Sequence, residues 1–218
     1  KRFLKVGIVM DIANIKGGMG GILERIGGMC SKAESSLSLC RDGFVKNKIN
    51  FIDEARKASS VIRSEGIELR TLLSKKAIEP GANKELIKSL MSIISSIEMV
   101  VTGLESTLQH VRVKISEGLL FSDKAVDEVR YLFKETLDVV KTAGDTFLTG
   151  NEVLMKYVVD KYKNLNEVVE SYAEGHEERL IKGLCQPQVS PVYLNIIDSI
   201  MTMVWHTKQA LMRFFECR

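Results

Sequence analysis

Three histidines, at positions 110, 176 and 206, are the first residues to test for chemistry. His176 opens the run His176-Glu177-Glu178-Arg179-Leu180, which lacks the second histidine that completes a zinc-protease helix. A di-iron bundle needs Glu-x-x-His pairs on facing helices, and no histidine here has a glutamate three residues before it. His176 falls on a helical seam between Tyr172 and Leu180, which reads as a hydrogen-bonded core histidine. His206 follows the single tryptophan, Trp205. Plain packing is the favoured reading of both, with a partner contact as the weaker candidate, since tryptophan is enriched at binding hot spots.

The remaining reactive side chains form no set. Cys30, Cys40, Cys185 and Cys217 include no Cys-x-x-Cys pair and no metal-ligand spacing, which favours free thiols. Gly-Gly-Met-Gly-Gly at 17–21 is followed by no Gly-Lys-Ser/Thr, so it is not a phosphate-cradling loop. No Ser/His/Asp or Cys/His arrangement can be argued from spacing. The expectation is a protein that is not an enzyme, with no cofactor.

Composition points the same way. The 218 residues are 45% hydrophobic and 27% charged, ordinary for a globular chain long enough to bury a core. Aromatics at 6% and only three prolines favour helices over sheet. A net charge of +3 is spread out, with no basic face of the kind that nucleic acid requires. No uncharged apolar run approaches the ~20 residues of a membrane span. Glu98, for example, ends the run that begins at Ser89.

The elements that must position these residues are long helices. A first is expected from Ile22 to about Asn50, with Asp42–Gly43 as a kink or break, and a second over 52–77. The third has the most regular seam: Leu86, Leu90, Ile93, Ile97, Val100, Leu104, Leu108 and Val111, at steps of three and four. Ser122 can cap a fourth helix that buries Val126, Val129, Phe133, Leu137 and Val140. Gly150–Asn151 breaks it. A fifth helix follows, with Leu154, Tyr157, Val158, Leu165, Val168, Tyr172 and Leu180 facing inward. Gly183 and Pro187 close the fifth, and Ser190 with Pro191 starts a sixth along Tyr193, Ile197, Ile200, Val204, Leu211 and Phe215. Residues 1–21 stand apart as an N-terminal arm ending in the glycine hinge. They read as a loosely docked terminus or, alternatively, as an arm to a membrane surface or partner subunit. The first residue is lysine, as in a trimmed chain or a piece of a longer one. The fold class expected is all-α: two pseudo-symmetric three-helix bundles, over 22–117 and 123–218.

Two stretches carry a family likeness. FSDKAVDEVRYLF at 121–133 and HEERLIKGLCQPQVSPVYLNIIDSI at 176–200 resemble the second repeat of the PhoU family of phosphate-signalling proteins, and of the PhoU-like domains of sodium/phosphate cotransporters. The first half matches by layout, with a helix pair, a loop at Pro80 and a long helix. The resemblance implies a six-helix, twice-repeated bundle and a regulator or adaptor of phosphate transport. It would be cytoplasmic, peripheral at the inner membrane face, acting on a membrane phosphate transporter or sensor kinase, with a homodimer possible and no nucleic acid.

Some members of that family hold multinuclear metal clusters on Glu/Asp-x-x-x-Asp helices, where residues i and i+4 share a face. Here the pattern starts at Glu98 but continues with Thr102 and Ser106. The second copy has Met201, Trp205 and Gln209. On the preceding helices, Asp160 is followed by Asn164, and the first-copy pair is Ser64 and Glu68. A hard cation wants several oxygens, so metal sites are expected to be lost, leaving Glu98 and Asp160 as vestiges. The alternatives are a multinuclear metal-binding protein and a structural bundle unrelated to phosphate.

Overall fold

A computed structural model describes residues 20–216. Six α-helices follow in order: α1 (Gly20–Lys46), α2 (Ile49–Ala77), α3 (Lys84–Ser116), α4 (Asp123–Thr149), α5 (Glu152–Ile181) and α6 (Ser190–Glu216). A single 3-10 turn, Pro187–Val189, precedes α6, and there is no strand among the described residues. The expected all-α fold is therefore the observed one. All but two residues of the expected N-terminal arm lie outside the described residues. Its last two glycines, Gly20 and Gly21, already belong to α1.

Helices α1–α3 form one three-helix unit and α4–α6 form another. The units join through two pairs, α1 against α4 and α3 against α6, while α2 and α5 pack chiefly on their own unit. The pattern maps onto itself when α1, α2 and α3 exchange with α4, α5 and α6. A doubled unit would give this contact pattern.

Local chemistry explains most boundaries. Asn83, Ser122 and Asn151 accept the backbone N–H of Leu86, Ala125 and Val153, capping α3, α4 and α5. Gly150 ends α4 in the left-handed region at φ 66°. One boundary differs from expectation. α1 runs unbroken through Asp42–Gly43 and ends instead at Asn47, φ 54°. Gly43 is there for space: a Cβ would sit 2.6 Å from Ile52 Cδ1, so the glycine lets α2 turn in close.

All eight residues of the α3 seam are buried. By length and mean hydropathy alone, α3 would suffice to cross a membrane, although Glu98 interrupts it. Its apolar side chains instead join the core, packed closest on α6. At their crossing, a Cβ on Gly103 would meet Met203 Cγ at 2.8 Å and the Ser199 carbonyl oxygen at 2.9 Å. The hydroxyls of Ser106 and Ser199 pair nearby at 2.7 Å.

Thr207, which interrupts the α6 seam in sequence, is buried and donates to the Met203 carbonyl. Helix α5 departs most from expectation. Only Val158, Leu165 and His176 are buried; Leu154, Val168, Tyr172 and Leu180 are partly covered, and Tyr157 is exposed. α5 packs less closely on its two neighbours than α2 does on its own, so its buried stripe is narrow and its flanking apolar residues stay near water.

A candidate partner groove beside a buried polar cluster

On the outer side of the second unit, α5 and α6 leave a shallow groove of about 240 Å³, lined by Tyr162, Asn166, Asp198, Met201, Thr202, Trp205 and His206. Both predicted contact residues lie in it. Trp205 is 39% exposed, and its ring meets that of His206 edge-on at 4.5 Å between centroids. Trp205 is thus a surface residue, not a core one. Lys208 sets its ammonium 3.8 Å from the Tyr162 ring centroid, a cation–π contact that extends the aromatic strip. Burial, then repulsion from Lys163, lowers the Lys208 pKa. Burial likewise lowers that of His206, disfavouring its charged form. The groove offers apolar rings with one carboxylate, Asp198, and one amide, Asn166. That composition suits a partner's side chains.

The matching place on the first unit is closed. α2 places Arg63 and Arg70 seven residues apart, and α3 places Glu98 and Glu105 at the same spacing. Arg63 Nε donates to Glu105 at 2.8 Å, and Arg70 Nε reaches both Glu98 oxygens at 3.0 Å. Arg63 also contacts Thr102, and Arg70 contacts Ser95. Gly66 makes room for this, since a Cβ there would lie 2.8 Å from Glu98 Oε1. Glu98, the first vestigial candidate, is therefore held by a guanidinium. Asp160, the second, is exposed on α5 beside Lys163 at 3.6 Å. Among the described residues, no three His, Cys, Asp or Glu side chains come together as a metal site. The paired spacing of Arg63/Arg70 with Glu98/Glu105 was visible in the sequence, but only a known helix register makes it a contact.

A buried cluster ties α5 to α4 and α6. Glu128 accepts from Arg179 through both terminal nitrogens, at 3.1 and 2.8 Å, and from the Tyr193 hydroxyl at 2.6 Å. Desolvation, then the Glu128 hydrogen bond, raises the Tyr193 phenol well above its usual range. His176 stacks on Tyr193 at 4.6 Å and pairs through Nε2 with Ser190 Oγ at 2.7 Å. The expected core histidine is thus half satisfied, because its Nδ1 is buried with no partner. Ser190 is accordingly not the cap foreseen for α6. It is helical, and its hydroxyl is taken by His176. Desolvation, then Arg179, lowers the His176 pKa. His110 is lowered by burial as well. Cys30 and Cys40 are buried thiols on α1, and burial pushes Cys30 up to about 12. Cys217 lies outside the described residues.

Two three-helix units that share one contact pattern define a known class, the six-helix repeat bundles. The particular fold is that of PhoU. PhoU from Pseudomonas aeruginosa superposes with a TM-score of 0.79 at 12% identity, covering 91% of this chain and 96% of that one. A PhoU-like phosphate regulatory protein from Shewanella oneidensis gives 0.59, also at 12% identity, over 88% and 96%. No family model matches the sequence, and no curated protein matches it significantly.

Proposed function

We propose that this chain is a non-enzymatic regulator or adaptor of phosphate transport or phosphate-responsive signalling, working by helix-face contacts with a membrane phosphate transporter or its sensor kinase. The observation that carries the reading is the PhoU fold, which extends over nine-tenths of the chain. The exposed Trp205–His206 groove supports contact by a protein partner, because a half-exposed tryptophan beside an imidazole is the kind of anchor that binding surfaces use. On this reading the protein works in the cytoplasm, peripheral to the inner membrane face, alone or as a homodimer. A metal-cluster role draws no support from the first unit, where Arg63 and Arg70 already engage the carboxylates.

The test places a photo-crosslinking amino acid at Thr202, beside Trp205 in the groove, in cells and identifies the captured protein, alongside phosphate uptake and phosphate-responsive transcription in a deletion strain. Capture of a transporter or kinase subunit, with both responses altered by deletion, is expected. Unchanged uptake and transcription would overturn the proposal.

A further inference from the structure

Helix α6 carries a second stripe, turned away from its buried seam. Leu194, Asp198, Met201, Trp205, Lys208 and Met212 recur at alternating steps of four and three, which places them along one face about 27 Å long. Leu194, Trp205 and Met212 are each more than a third exposed, Asp198 is exposed, and Met201 and Lys208 are half-buried. Large apolar side chains in line on one helix face form a surface patch, unlike residues scattered singly.

The two charges on the stripe are unpaired. Among the described residues, Asp198 has no cation within ion-pair distance and Lys208 has no anion. Lys208 lies over the Tyr162 ring instead and is repelled by Lys163. Asp198 and Lys208 are about 15 Å apart along the helix, too far to meet within one chain.

The stripe is complementary to itself. Leu194 with Met212, Asp198 with Lys208, and Met201 with Trp205 are all pairs centred on position 203. A twofold axis through the face at that position exchanges the members of each pair. A second copy laid antiparallel across the first sets Asp198 against Lys208 of the second copy, and Met201 against its Trp205. Each contact then occurs twice, as in any twofold interface. A parallel pairing would set Asp198 on Asp198 and Lys208 on Lys208, which like charges oppose.

We propose that this face joins two copies of the chain in an antiparallel, twofold dimer through α6. The apolar pairs fill its centre and its ends, and the two Asp198–Lys208 pairs fix its register. The inference rests on the reading of the Trp205 groove as a protein-contact surface, and it names the occupant when no transporter or kinase subunit is bound.

Sedimentation equilibrium of the full chain between about 1 and 100 μM tests it, and a monomer–dimer equilibrium is expected within that range. Asp198→Lys and Lys208→Asp should each raise the dimer dissociation constant roughly a hundredfold, tenfold at each of the two equivalent contacts. The double variant Asp198→Lys/Lys208→Asp should restore the dimer. An equimolar mixture of the two single variants should also dimerise, although neither does so alone. A chain that stays monomeric at about 100 μM, a dimer indifferent to both charge reversals, or single variants that mixing does not restore would each overturn the assignment. A monomer whose deletion still alters phosphate responses removes this dimer and leaves the proposed function standing. A dimer that obeys the charge reversals, with uptake and transcription unchanged by deletion, upholds the dimer and overturns that function.

Discussion

The outer helices α2 and α5 occupy equivalent places in the two units and are held by different means. α2 buries seven residues, from Ile52 to Leu73, and closes its outer seam with the Arg63–Glu105 and Arg70–Glu98 pairs. α5 buries three and leans on two buried glutamates of α4: Glu128, paired with Arg179 at side-chain exposures of 3% and 14%, and Glu135, paired with Lys161. An apolar stripe with exposed ion pairs gives a helix that tolerates change at any one charge. An interior ion pair concentrates the dependence in two residues, because breaking it strands a charge away from water. The same arrangement leaves α5 with exposed aromatic surface, and that is where the groove lies.

The sharpest way to break this contrast is Arg179→Met, which isolates Glu128. We expect a loss of about 3–5 kcal/mol in denaturant unfolding, with hydrogen exchange rising first in α5. The double variant Glu128→Gln/Arg179→Met should regain most of it. In α2, Leu69→Ala removes a fully buried side chain and should cost about 2–4 kcal/mol. If Arg179→Met proved milder than Leu69→Ala, the distinction between the two helices would fail.

A pH test sharpens it further. The folded-state pKa of His176 lies below its ordinary value, so the unfolded chain takes up the proton first. Stability is then full above about pH 6.5 and falls as pH drops through the lowered value. His110 and His206 act in the same direction, so His176→Gln should shrink the acid loss between pH 7 and 5 without abolishing it. Arg70→Gln is a smaller change: its pair is part-exposed and screened, and a loss under about 1 kcal/mol is expected, reduced by added salt. Trp205→Ala should change stability least, within about 0.5 kcal/mol, while weakening partner capture strongly.

Much of the fold was legible because it rests on local signals. The α3 seam repeats over about seven turns, and Ser122, Gly150 and Asn151 announce their caps by residue type alone. Trp205 read more readily as core than as surface, yet it is half-exposed and lines one groove with His206. Three things were not legible. The depth of α5 depends on how closely it packs on α4 and α6, which periodicity does not encode. Gly43 resembles a helix breaker until Ile52 is seen filling the space where its side chain would be. Ser190 sits where a cap belongs, but a histidine fourteen residues earlier claims its hydroxyl. The Arg63/Arg70 ladder likewise needs the register between two helices, a tertiary quantity.

Gly103 also bounds how the two copies can diverge. At that crossing the α3 backbone lies against α6 with no space for even a methyl group, so the halves cannot rock past one another without first separating. Whatever else drifts in either copy, a side chain at position 103 would push the duplicated halves apart.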